Sequence, residues 1–139
     1  MRKSALFGCL ALAFAASAGA QAQTATKFDL ICSGTRQMGL EAAAVAHEYR
    51  IRVDLDAGRW CWDACERTFE IAEAAPDRIV FAKDEVDTPR QRRTLENAVS
   101  RLTGEHRLVS IETRPLPRFM ETKGQCEPGS FSGFPAARF

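Results

Sequence analysis

The sequence predicts an all-β protein: a small antiparallel meander of roughly six to eight short strands, forming a barrel or a sandwich and tied by two disulfides. Three observations carry this expectation. Tyr49, Ile51, Val53 and Leu55 alternate with Arg50, Arg52, Asp54 and Asp56, the period of two that puts apolar side chains on one face of a strand and charges on the other. Glycine-bearing turns, at Gly58 and Gly104, separate short runs rich in β-branched and aromatic residues. Of the five cysteines, all but Cys9 lie beyond an export-type leader, and an even set in an exported chain reads as disulfides.

The leader comes first. Met1-Arg2-Lys3 is a basic start, and residues 6–16 form an apolar run too short for a membrane anchor. The triplets Ala18-Gly19-Ala20 and Ala20-Gln21-Ala22 fit small-residue cleavage sites, so cleavage is expected after Ala22 or Ala20. Phe7 beside Gly8, with little apolar chain before it, argues against a lipid-modified Cys9. Residues 1–22 thus read as a signal peptide and residues 23–139 as a single exported β domain, periplasmic or secreted. Cleavage would remove two of the 19 Lys and Arg and none of the 18 Asp and Glu, leaving 17 against 18, a net charge of −1. That balance argues against nucleic acid as a partner. The rest of the chain has no second long apolar run, so no transmembrane segment is expected after cleavage.

Residues 23–26 are polar. Residues 27–33, KFDLICS, alternate as a first strand with Phe28, Leu30 and Cys32 on one face, and Ser33-Gly34-Thr35 reads as a bend. Residues 37–48 have good helix propensity but are opened by Gly39 and run straight into a strand, so a loop with at most one helical turn is expected. The clearest hairpin follows. A four-residue loop over 55–58 pairs Asp54 with Arg59, sets Val53 opposite Trp60 and Ile51 opposite Trp62, and buries both indole rings. A three-residue loop would slip the register and turn the rings outward. Gly58 can take the left-handed conformation, Asp54 or Asp56 can accept turn amides, and Leu55 is expected to leave the core. Trp60 and Trp62 read as core residues, against the alternative of an exposed stacking platform for a sugar or a base.

Residues 67–72 alternate around Phe69 and Ile71. Ala75-Pro76-Asp77 is a turn, and residues 78–83, RIVFAK, are a strand. Residues 83–93, KDEVDTPRQRR, read as a polar loop with acids first and bases after. It is either a solvated connection or a binding tip that meets anions through Arg90, Arg92 and Arg93. Residues 95–101 and 106–113 form a second hairpin around Gly104. Pro115 and Pro117 break the chain, and residues 118–126 are the last strand. In the tail, Phe131 and Phe134 are expected over an open end of the sheet. Such strands are too short for an outer-membrane barrel, whose strands need about 9–11 residues with a lipid-facing band.

Cys32, Cys61, Cys65 and Cys126 admit three pairings. We expect Cys61 with Cys65 and Cys32 with Cys126. The first closes a small loop that must bend, because an extended strand would hold the α-carbons about 13 Å apart. The second ties the first strand to the last, and closing so long a loop is worth about 4–5 kcal/mol. The cysteines lack C-x-x-C spacing and neither histidine is placed for zinc, so no metal is expected. No hydrolase, kinase, phosphate-loop or dinucleotide motif is present. His47 and His106 stand near strand starts, and His106, Glu105 and Ser100 flank a hairpin tip that would aim a nucleophile poorly. Neither catalysis nor a cofactor is expected.

The segments FDLICSG, YRIRVDLDAGRWC, VSRLTGE and a Cys followed by PGSFSGFP resemble small exported bacterial proteins of unknown function, which implies no activity. The placing of Cys32 in the first strand and Cys126 near the end is similar to that in the membrane-bound inhibitors of c-type lysozyme, which are small periplasmic β-barrels. The inhibitory S-G-x-x-Y segment of that family is not matched, since Ser33-Gly34-Thr35-Arg36-Gln37 lacks the tyrosine. Its inhibitory residues therefore do not carry over. The sequence leads to a non-catalytic exported β domain that binds a protein or an envelope component. A lysozyme or protease inhibitor and a small-ligand carrier are the alternatives.

Overall fold

The computed structural model describes residues 25–136; the expected signal peptide and its cleavage sites lie outside them. The described residues form nine antiparallel strands and no helix: β1 (Lys27–Met38), β2 (Val45–Asp54), β3 (Arg59–Trp62), β4 (Phe69–Glu70), β5 (Glu73–Ala74), β6 (Arg78–Asp87), β7 (Arg92–Ser100), β8 (Glu105–Arg114) and β9 (Arg118–Gly129). They make one sheet in the order β4-β3-β2-β1-β9-β8-β7-β6-β5. Two meanders, β1 to β4 and β5 to β9, meet where β1 pairs with β9. The edge strands β4 and β5 are separated in sequence only by Ile71 and Ala72, so the sheet curls into a half-barrel. The strand number exceeds the six to eight expected, because the one strand expected over 67–72 is replaced by two-residue edge strands at 69–70 and 73–74, and six of the nine strands run nine to twelve residues rather than being short.

The core fills the concave face. Ile51 and Val53 are fully buried, and Leu30, Trp60, Ile79, Phe81 and Val99 pack with them. Trp60 and Phe81, from opposite walls of the curl, bring their rings 5.1 Å apart. The hairpin of β2 and β3 has the register expected for the four-residue loop: Asp54 pairs Arg59, Val53 pairs Trp60 and Ile51 pairs Trp62. Gly58 stands at φ 63°, and Asp54 Oδ1 accepts the Ala57 amide at 2.9 Å. Leu55 does not leave the core as expected; it packs against its edge. Among the described residues both disulfides form as expected, Cys32–Cys126 and Cys61–Cys65. Cys32 and Cys126 face each other in register between β1 and β9 with α-carbons 4.1 Å apart. The Cys61–Cys65 loop bends through left-handed Asp63 and Cys65, which brings those α-carbons to 5.1 Å.

Three stretches depart from the sequence reading. Residues 37–48 hold no helical turn. The ladder between β1 and β2 runs on to Arg36 opposite Val45, and pairing along a long hairpin outweighs a helix too short to nucleate. Gly39, at φ 108°, closes the turn while Gln37 donates to the Gly39 and Leu40 carbonyls. Residues 83–93 are not a loop, for β6 continues to Asp87 and β7 starts at Arg92. A bulge between Val80 and Ala82 shifts the phase of β6, so Ala82, Asp84 and Val86 continue the concave face after Phe81. The charged residues then pair across strands, as Lys83 does with Glu96 and Asp87 with Arg92. The tail lies on the convex face rather than over an end. Ser132 donates to buried Asp29 through its hydroxyl at 2.6 Å and its amide at 3.2 Å, and Arg52 donates to the Gly133 carbonyl. Phe131 and Phe134 meet edge to face, 5.3 Å apart.

Candidate functional site

Beyond the apolar core, the concave face becomes polar toward the end of the curl that holds the turns β1–β2, β6–β7 and β8–β9. Register lays the residues out in rows that cross the strands. The innermost row runs His47, Gly34, Gly124, His106, Val99. The next runs Val45, Arg36, Thr122, Leu108, Asn97, Ala82. The outer row runs Met38, Met120, Ser110, Leu95, Asp84.

Glycine at Gly34 and Gly124 shapes the innermost row. A Cβ at Gly124 would run into the Tyr49 hydroxyl, and one at Gly34 into the Lys123 carbonyl. Gly34 thus lets the β9 backbone come close to β1, and with no Cβ at Gly124 the Tyr49 ring crosses these strands so that its hydroxyl reaches His106 Nδ1 at 2.6 Å. His106 Nε2 lies 2.7 Å from Asn97 Oδ1. His106 is fully buried, and burial lowers its pKa to about 4, so the ring is neutral. Asn97 Oδ1 can only accept. Nε2 therefore carries the proton and Nδ1 accepts the Tyr49 hydroxyl. Burial pushes the Tyr49 hydroxyl up to about 12, against an opposing pull from Arg36. Trp62 meets His106 edge on at 5.8 Å. The chain of Tyr49, His106 and Asn97 pins three strands together beneath the polar end.

Above this pin the face is polar but incompletely satisfied. Among the described residues, Arg36 Nε, His47 Nε2, Arg93 Nε and Asn97 Nδ2 are buried nitrogens without a hydrogen-bond partner, all on concave-face positions. A fifth, Arg52 Nε, belongs to the convex face, where the Arg52 guanidinium is already engaged with Gly133 and Asp63. Arg93 pairs with Asp84 across β6 and β7. Arg36 has no ion-pair partner among the described residues. Its field is felt nearby: burial lowers the His47 pKa and Arg36 lowers it further, against a smaller upward pull from Asp63. His47 stacks on Tyr49 with ring centres 5.1 Å apart. Among the described residues, the end of the concave face thus carries one unpaired guanidinium, that of Arg36, near neutral rings.

The residues singled out from sequence fall in different places. The cysteines are structural. Arg92 and Arg93 meet their own acids: Arg92 lies 3.8 Å from Asp87, which Arg114 also contacts at 2.6 Å, and Arg93 pairs with Asp84. Arg90 is exposed at the β6–β7 turn. The three arginines do not converge, since Arg93 belongs to the concave face and Arg90 and Arg92 to the rim. Arg36 was not singled out, although a signal exists. Continued past Ser33, the alternation of Phe28, Leu30 and Cys32 puts an arginine in phase with the core. Among the described residues no three His, Cys, Asp or Glu side chains gather as a metal-ligand set, and no helix is long and apolar enough to cross a membrane.

No protein-family model, curated protein or solved structure matches the chain. Fold and site define it as an all-β half-barrel crosslinked by two disulfides, a pattern that points to an oxidising, extracytoplasmic setting.

Proposed function

We propose that this is a non-catalytic binding domain of the periplasm or the secreted fraction, which recognises an envelope component or protein through the polar end of its concave face. The observation that carries this reading is the set of buried, unpartnered nitrogens gathered there. A buried donor without an acceptor costs about 1–3 kcal/mol, and a bound partner that brings acceptors recovers that cost. His106 is sealed beneath the face with both ring nitrogens engaged by Tyr49 and Asn97, out of reach of a substrate, which favours binding over acid–base chemistry. The test is hydrogen exchange on the mature chain with and without envelope extract. Protection should fall on residues 34–38, 45–49 and 120–124. Protection confined to the convex face, around Ile31 and Arg50, would overturn the reading.

A second reading is favoured by Arg90, an exposed cation at the tip of a hairpin whose strands are ten and nine residues long. Such a tip suits an inhibitor that enters an acidic enzyme cleft. A cell-wall turbidity assay in which c-type lysozyme is slowed by the wild type but not by Arg90→Gln would support it; no slowing would end it.

A further inference from the structure

We propose that the group recognised at the concave end is a carboxylate borne on an apolar body, with Arg36 as its anchor. The inference deepens the binding reading above and rests on it.

Arg36 supplies the charge. Its guanidinium is half-buried, lacks an ion-pair partner among the described residues, and has a buried Nε with no acceptor. Among the described residues, the other concave-face charges nearby have an opposite charge beside them. Arg93 pairs with Asp84, and Glu112 sits in register with Arg93 and Arg118. His47, Tyr49 and His106 are neutral. An unpaired planar fork one row outward from neutral rings, partly shielded from water, favours a planar anion that can take two of its donors at once. A carboxylate has that shape.

The apolar body follows from the neighbouring row. Met38 and Met120 stand directly opposite each other, one row outward from Arg36, with Leu95 further across. Val45 pairs with Arg36 from β2. Met38 is 62 % exposed and Val45 60 % exposed, so an apolar group lying over them would leave water while its carboxylate points inward to Arg36. Methionine side chains adapt to apolar bodies of varied shape. Asn97 supplies a second, independent sign of a ligand. It is 1 % exposed, lies in the row of Arg36 three strands across the concave face, beyond Thr122 and Leu108, and keeps an amide N–H without an acceptor.

The test is calorimetric titration of the mature chain with octanoate, octanol and acetate, using wild type, Arg36→Gln, Arg36→Lys and, as a control on the convex face, Arg107→Gln. Octanoate should bind saturably, and octanol and acetate should both bind more weakly. Arg36→Gln should weaken octanoate by about tenfold to a hundredfold, while its melting temperature stays level or rises because an unpaired cation has been removed. Arg36→Lys keeps the charge but not the fork and should fall between. Arg107→Gln should match wild type. Equal binding of octanol and octanoate, or an unchanged Arg36→Gln, would overturn the anchor; acetate equal to octanoate would overturn the apolar body. If octanoate fails while envelope extract still protects the concave end, the carboxylate inference falls alone. If neither binds there, the binding reading falls with it.

Discussion

His106 ties the stability of this protein to pH between the range of an ordinary histidine and its own lowered value. Buried and neutral, it titrates at about 4 in the folded chain, whereas an unfolded chain binds that proton near pH 6.5. A lowered folded pKa means that the unfolded state takes up the proton first, so stability is highest above about 6.5 and falls as the pH drops toward 4. The loss should reach about 2 kcal/mol by about pH 5 and level off at about 3 kcal/mol below pH 4. His47, lowered by burial and by Arg36, adds in the same direction. The carboxylates respond lower down. Burial raises Asp54, but the Ala57 amide and Lys27 outweigh it and leave it lowered; Glu121 is lowered by hydrogen bonds from Lys123 and Arg107. Their contributions are fully present above the ordinary carboxylate range and are lost as the pH falls through their lowered values. The assay is urea unfolding at several pH values for wild type and His106→Asn, whose amide oxygen can still accept the Tyr49 hydroxyl. Between pH 7 and pH 5 the variant should lose about 2 kcal/mol of the pH dependence. A variant that keeps the full slope, or a wild type with none, would refute the reasoning.

Other outcomes follow from the same structure. Replacing Cys32 and Cys126 together by Ala should cost about 4–5 kcal/mol by the loop-closure argument, measured by urea unfolding under non-reducing conditions. Gly124→Ala should cost at least about 2 kcal/mol, because a methyl group there must push the Tyr49 hydroxyl off His106; the Tyr49 ring signals in near-UV circular dichroism should change with it. Tyr49→Phe should cost about 1–3 kcal/mol by leaving His106 Nδ1 buried without a donor. Arg92→Gln, which breaks only an exposed contact to Asp87, should change stability by less than about 1 kcal/mol.

The fold was legible where alternation and turn chemistry agreed. The hairpin around Gly58 is the clearest case. Its register could be derived because one choice buried two tryptophans and the other exposed them. The disulfide pairing followed from strand geometry. The expected Cys32–Cys126 link already put the first strand beside the last; the curl was not legible, because nothing local marks how far β1 pairs with β9, from Asp29 opposite Gly129 to Met38 opposite Met120. Nor was the strand character of residues 83–87. There the apolar residues thin out to Val86, and the bulge after Val80 breaks the count of two at the point where it was needed. The polar end of the concave face suffered most. Arg36 lay past a Ser-Gly-Thr stretch that reads locally as a bend, and only pairing with β2 and β9 keeps it extended. Gly34 and Gly124 look like turn formers in sequence. Gly124 lets a tyrosine cross the strands and Gly34 lets the β9 backbone come close to β1, which appears only once their neighbours are known.

The most direct measurement of the binding account is a nitrogen-15 NMR spectrum of the side-chain N–H groups during octanoate titration. The Arg36 Nε–H and the Asn97 amide should move together and saturate, while the Arg52 Nε–H, equally buried and unpartnered but on the convex face, stays still. Movement of Arg52 with Arg36 silent, or no saturable movement of either concave-face group, would contradict it.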